Sequence, residues 1–160
     1  MNQECVLKFQ QIHKVFTSEG APYTAPQNIN LEVKKGEFLG LSGKSGSGKT
    51  TLLNLAGLID TPTSGDLFIK GVNIKNLNDD ELSKIRAQEI GFIFQTFNLL
   101  PLLSAVENVE YPLTLLGLSE TEARERAMNA LTQVGIDRFA HHRPAQLSGG
   151  QRQRVAIARA

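Results

Sequence analysis

A single cysteine, Cys5, is all the chain carries. That excludes an internal disulfide and every multi-cysteine metal motif, and it fits a reducing compartment. Tryptophan is absent, and neither sign of charge dominates: 17 basic against 16 acidic residues leave a net +1. No global field therefore points to nucleic acid or an acidic substrate, and no nucleic-acid partner is expected. Long apolar runs are also missing. The densest, Phe97 to Val106, is about half a membrane span in length and is interrupted by Asn98 and Pro101. The opening MNQECVLKFQQIHKVF has no basic segment followed by an apolar run, so no secretory signal is expected and the chain reads as cytosolic. With 41% hydrophobic and 21% charged residues over 160 positions, the composition is that of one globular domain.

The hydrophobic pattern predicts strands over Cys5 to Phe16 and Ile29 to Val33, forming an antiparallel pair across the polar loop Thr17 to Gln27. Two short apolar runs, Phe38 to Leu41 and Ile90 to Phe94, read as buried strands, and Asp66 to Lys70 as a further one. Helices are expected after Gly48, from Asn78-Asp-Asp-Glu81 toward Glu89, and from Ser104-Ala-Val-Glu107 and Ser119-Glu-Thr-Glu122. Pro112 is expected to kink or interrupt the third of these, and Gly135 to end the fourth. A last helix starts at Ser148. Its apolar side, Val155, Ala156, Ile157 and Ala160, has no obvious partner in the sequence, which reads as an α/β domain cut short.

Gly43-Lys44-Ser45-Gly46-Ser47-Gly48-Lys49-Thr50-Thr51 contains the pattern G-x-x-x-x-G-K-[ST] between a predicted strand and a predicted helix. Glycines let the backbone turn N–H groups inward as an anion nest, and the helix N-terminus adds partial positive charge. A polyphosphate is the natural guest. Lys49 is placed to reach the β- and γ-phosphates, and the Thr50 hydroxyl to ligate a bridging Mg²⁺. Lys44 occupies a variable loop position, so its side chain is given no separate role.

A second anion site is suggested at Leu147-Ser148-Gly149-Gly150-Gln151, where a good N-cap and two glycines open a helix. Arg152 and Arg154 in its first turns oppose the helix dipole unless an anion lies nearby. A phosphate loop followed by LSGGQ resembles the ATP-binding cassette (ABC) ATPases, over essentially the whole chain. The resemblance implies an α/β P-loop NTPase fold: an antiparallel β part and a parallel-sheet core over residues 1–95, a helical subdomain over about 96–147, and the signature loop and its helix over 148–160.

It also implies a head-to-tail dimer, in which the signature residues Ser148, Gly149 and Gly150 act in trans on ATP held by the other subunit. Gln95 stands where the family has a glutamine that touches Mg²⁺ or the attacking water and connects to an integral membrane permease. Phe16 stands where the family usually has an adenine-stacking tyrosine; a phenylalanine keeps the π-face and loses the hydroxyl. Glu107-Asn-Val-Glu-Tyr-Pro-Leu113 and Pro144-Ala-Gln-Leu-Ser-Gly-Gly-Gln151 are similar to the bacterial group that includes the lipoprotein-release, macrolide-export and cell-division ATPases. The implied location is the cytoplasmic face of the inner membrane.

The family hydrolyses ATP with an apolar strand ending in Asp-Glu and with a later histidine. Leu58-Ile59-Asp60 is too short, and Gly135-Ile136-Asp137 lacks the following Glu. These residues are therefore expected beyond Ala160, with turnover by this span alone weak or absent. His141 and His142 precede the signature and read as loop residues; Glu107, Glu110, Glu120 and Glu122 read as helix-start and solvent residues. Two alternatives stand beside this reading. A soluble P-loop phosphotransferase leaves LSGGQ idle, and a non-transport ABC protein acting on DNA or ribosomes usually carries insertions or a second cassette that are not seen here.

Overall fold

The computed structural model describes residues 4–17, 23–24 and 26–160; residues 18–22 and 25 of the expected polar loop, Gly20 and Pro22 among them, lie outside. The chain divides into two compact units, one ending at Arg86 and the other running from Ala87 to Ala160.

In the first unit, β1 (Cys5–His13) is central to an antiparallel sheet with β4 (Ile29–Lys34), β5 (Ser64–Ile69) and β6 (Val72–Asn73), in the order β4-β1-β5-β6. Phe9 pairs with Leu31 on one side and Leu67 on the other, and Phe9, Ile12, Leu67 and Ile69 are buried. β1 bulges at Gln11, where φ is 50° and the pairing with β4 shifts register. Gly65 crosses close to this bulge: a Cβ there would stand 2.4 Å from the Gln11 carbonyl oxygen, so only glycine fits. The expected strand to Phe16 is broken at Lys14. β2 (Val15–Phe16) pairs instead with β3 (Tyr23–Thr24), inside what reads as loop.

Helix α1 (Lys49–Ala56) follows the glycine loop, and α2 (Asp79–Glu89) starts where Asn78 and Glu81 exchange backbone-to-side-chain hydrogen bonds of 2.8 and 3.0 Å. The second unit holds α3 (Ala105–Leu115), α4 (Glu120–Gln133) and α5 (Gly149–Arg159) around one apolar core that includes Val106, Val109, Ala127, Leu131, Leu147 and Val155.

Several expectations are corrected. Phe38 to Leu41 and Ile90 to Phe94 are not strands: no strand among the described residues pairs with either, and a strand requires a ladder partner as well as apolar content. Phe38 is 99% and Ile93 56% exposed, so neither run is the buried strand its composition suggests. Pro112 does not interrupt α3. It removes one N–H, while a complete Ser104–Glu107 capping box and the buried Ala105, Val106, Asn108 and Val109 hold the helix from its start. At α4 only half of the expected box forms: Ser119 Oγ accepts the Glu122 N–H, and the Glu122 carboxylate pairs with Arg126 at 2.7 Å. Gly135 does follow the end of α4, and Ile136 N–H closes back on Leu131 O at 3.0 Å. The apolar side of α5 has a partner after all, because Val155 is buried in the core it shares with α3 and α4, and Ala156 is fully buried as well; Ile157 remains 43% exposed.

Candidate functional site

The glycine loop turns on backbone conformations that side chains resist. Gly48 has φ 89° and Gly46 φ 78°, and Gly48 is the N-cap of α1. Having no side chain, Gly48 leaves the first N–H groups of α1 without an internal acceptor from the cap, so they remain for a ligand. Ser47 N–H closes a turn on Lys44 O at 3.2 Å, and the first helical bond runs from Leu52 N–H to Gly48 O.

The Lys49 ammonium folds back across the loop. It donates to the carbonyls of Gly43 and Lys44, both at 2.8 Å, and lies 3.5 Å from Ser47 Oγ. Residues 45–51 line a cavity of about 300 Å³ beside this ammonium, and Thr50 is exposed in the first turn of α1. Phosphate oxygens fit this donor set of backbone N–H groups, hydroxyls and one ammonium. A hard cation bridging such phosphates fits the Thr50 hydroxyl, an oxygen ligand on the same turn.

Phe16, at the end of β2, is 38% exposed. Its ring carries the Lys14 ammonium 5.5 Å from its centroid, and that ammonium is fixed by Asp60 Oδ1 at 2.5 Å and Thr61 O at 2.8 Å. Sequence reasoning passed over this Lys14–Asp60 pair. Both residues are unremarkable by type, and 46 positions separate them.

The signature loop is shaped by its own hydrogen bonds. Ser148 Oγ accepts the Gln151 N–H at 3.3 Å while Gln151 Oε1 accepts the Ser148 N–H at 2.8 Å, a full capping box at the start of α5. Ser148, Gly149 and Gly150 are exposed and Leu147 is buried, so the leucine anchors the loop and the other three are presented. Arg152 and Arg154, which oppose the helix dipole, are compensated from within the unit rather than by an anion. Arg152 lies over the Phe97 ring at 5.8 Å, and Arg154 donates to Val134 O at 3.4 Å.

Gln95 is exposed in a turn, and the chain just beyond it is unusual. Phe97 and Asn98 have φ of 63° and 47°, a left-handed pair of non-glycine residues. Arg159 donates to both of their carbonyls, at 2.7 Å to Phe97 O and 2.6 Å to Asn98 O. Burial pushes the Arg159 guanidinium below its ordinary pKa, yet so basic a group stays charged. Downstream, buried Asn108 accepts Leu100 N–H at 2.7 Å and donates to the carbonyls of Leu100, Leu103 and Ser104. Neither Arg159 nor Asn108 stands out as a site residue in the sequence, since their role depends on where a non-repetitive loop places its carbonyls.

His142 packs edge-on against Phe139 at 5.4 Å, and no cluster of three or more metal-ligating side chains occurs among the described residues. The loop residues 43–51 thus come together in the first unit, and Gln95 and residues 147–151 belong to the second.

The family model described as ABC transporter matches residues 26–160. An uncharacterised ABC transporter ATP-binding protein of Methanocaldococcus jannaschii, MJ0796, is 48% identical over 159 residues, covering 97% of this chain and 68% of that protein. The lipoprotein-releasing system ATP-binding protein LolD of Hyphomonas neptunium is 42% identical, over 97% of this chain and 68% of its own length. The macrolide export ATP-binding/permease protein MacB of the same organism is 43% identical, but the chain spans only 24% of it. Among solved structures, a dimeric post-hydrolysis state of the MJ0796 cassette bound to ADP and Pi superposes with a TM-score of 0.88, over 96% of this chain and 68% of that one. With its glycine loop, its LSGGQ helix and a match across most of its length, the chain belongs to the ABC transporter family of ATP-binding cassettes.

Proposed function

We propose that this chain is the nucleotide-binding part of an ABC transporter subunit that takes ATP with Mg²⁺ and works as a head-to-tail dimer against an integral membrane permease. The observation that carries the reading is the Lys49 ammonium, held over a glycine loop at the open N-terminus of α1. In this reading the loop residues 45–51, with the N–H groups at the start of α1 foremost, and the Lys49 ammonium hold the β- and γ-phosphates, with the side chain of Lys44 left out. Lys49 exchanges a loop carbonyl for a phosphate oxygen, a charge-assisted bond to a stronger acceptor. Mg²⁺, when bound, neutralises charge on the phosphates; Thr50 and Gln95 are the residues assigned to it. Phe16 offers its ring to the adenine, and the Lys14 ammonium near that ring is fixed by Asp60.

Ser148, Gly149 and Gly150 are assigned to the γ-phosphate of a second subunit's ATP. The solved relative supports this by being dimeric and bound to ADP and Pi. Division of labour follows the sequence: phosphate and β part over 1–95, helical part over 96–147, signature and helix from 148 onward. Likeness to LolD and MacB favours a permease engaged in lipoprotein release or macrolide export, and hence the cytoplasmic face of a membrane. No helix among the described residues is long and apolar enough to cross one.

The test is ATP·Mg²⁺ binding by calorimetry. Lys49→Ala removes a charged donor to phosphate, and the expected loss of affinity is roughly 10- to 100-fold. Affinity unchanged by the substitution would sink the reading.

A further inference from the structure

We propose that Arg159, seconded by Arg152, is a positioning residue that ties the turn after Gln95 to α5, the helix that begins at the signature serine. The inference rests on the function proposed above for Gln95 and Ser148, and on contacts within a single compact unit.

Arg152 and Arg159 are seven residues apart on α5, two helical turns, and so share one face. That face meets the chain at Phe97 and Asn98 from both ends: the Arg152 guanidinium lies on the Phe97 ring, and the Arg159 fork takes the two successive carbonyls. Arg152 Nε is buried and makes no hydrogen bond, so the ring face is the main compensation for that end of the guanidinium.

Left-handed φ at two adjacent residues with side chains persists only where the surroundings impose it. Local bonds help. Thr96 Oγ1 donates to Asn98 Oδ1 at 2.8 Å and Asn98 N–H reaches Thr96 O at 2.7 Å. They close the turn but do not orient it, and that is left to the guanidinium, because its planar fork fixes two carbonyls in direction as well as distance. The next segment is held separately, by Asn108 on α3. A shift or rotation of α5 is therefore delivered directly, through the guanidinium fork, to the residues adjoining Gln95, whereas residues 100–104 are tied to α3 by Asn108. Arg152 directly follows the signature Gln151, which places the coupling face at the loop that would engage a second subunit's nucleotide.

The full-length protein carrying Arg159→Gln is compared with its parent by amide hydrogen exchange and by steady-state ATP turnover. Amides 96–98 are expected to exchange at least about tenfold faster, while Leu100 keeps its protection through Asn108. ATP affinity and KM should stay within about twofold and kcat should fall at least about tenfold, a split that simple destabilisation would not give. Arg159→Lys, a point charge without the fork, should lie between.

Parent exchange at 96–98 together with parent kcat in Arg159→Gln would overturn the proposal. Should that variant not fold, Arg152→Leu leaves both carbonyl bonds in place and is expected to lower kcat about two- to fivefold with faster exchange at Phe97; parent values there overturn it too. Failure of the functional reading looks different. A parent protein that neither binds nor hydrolyses ATP would discard that reading, while the exchange experiment, run without nucleotide, would still decide the clamp.

Discussion

Helix α1 begins on Gly48, which has no side chain to offer its first turn, whereas α5 begins on Ser148, whose hydroxyl and N–H are both engaged with Gln151. Both are helix N-termini with glycines beside them, and both carry the partial positive charge of such ends. They differ in who satisfies the orphan N–H groups. At α1 the first backbone donors are left for a ligand, and a lysine that can turn to a phosphate crosses the loop. At α5 one donor is already spent on the cap, and what remains for an outside anion is the N–H of two glycines and the Ser148 O–H, whose oxygen accepts the Gln151 N–H. The first is built to hold a polyphosphate by itself; the second, to add contacts to one held elsewhere.

The largest effect is expected from giving the first helix a side chain at its cap. Gly48→Val puts a β-branched residue at φ 89°, a strain of about 1 to 3 kcal/mol, and covers the N–H groups that face the ligand. ATP·Mg²⁺ affinity, read by calorimetry, is expected to drop by about 100-fold or more, with the thermal transition of the helical unit unchanged. Retained affinity would mean that the open N-terminus is not where phosphate sits.

A smaller effect is expected at the other helix. Ser148→Ala removes the cap acceptor and should cost about 1 kcal/mol of stability, a fall in Tm of about 2 to 4 °C. A single chain's ATP affinity should not move, because its phosphate is held by the other helix. A tenfold weaker affinity in monomeric protein would place Ser148 in the same site as Lys49 and undo the distinction.

What could be read from the sequence, and what could not, divides along the same line. The glycine loop, the signature and the starts of α2, α3 and α5 are local patterns, in which the residues that make the structure are within three or four positions of each other. The Asp66–Ile69 part of β5 and the strands β1 and β4 were legible as short apolar-rich runs bounded by turn residues, and the β1–β4 pairing from the polar loop that joins them. Phe38 to Leu41 and Ile90 to Phe94 were misread because an apolar run reports burial demand and says nothing of a hydrogen-bonded neighbour. The Lys14–Asp60 pair and the Arg159 clamp were invisible because each joins residues 46 to 62 positions apart, and the Arg159 acceptors are carbonyls that every residue has. Pro112 was over-weighted as a breaker: the sequence announces the missing donor, not the strength of the cap that outweighs it.

That cap supplies the gentlest test. Glu107 accepts the Ser104 N–H at 2.7 Å and the Ser104 hydroxyl at 2.6 Å, and these hydrogen bonds, the hydroxyl first, hold its carboxyl below the ordinary value of 4.5. A carboxylate whose folded pKa is depressed contributes stability that is fully present above its unfolded pKa and is lost as pH falls through the folded one. The increment should therefore stand at pH 7 and fade below about pH 4.5. Glu107→Gln keeps the capping geometry and removes the charge. At pH 7 the variant should melt lower, by no more than about 2 °C for so exposed a side chain; the gap should narrow progressively as pH falls below about 4.5. A gap that stays constant from pH 7 to pH 3 would show that Glu107 acts through shape alone, and that the start of α3 owes nothing to the carboxylate charge.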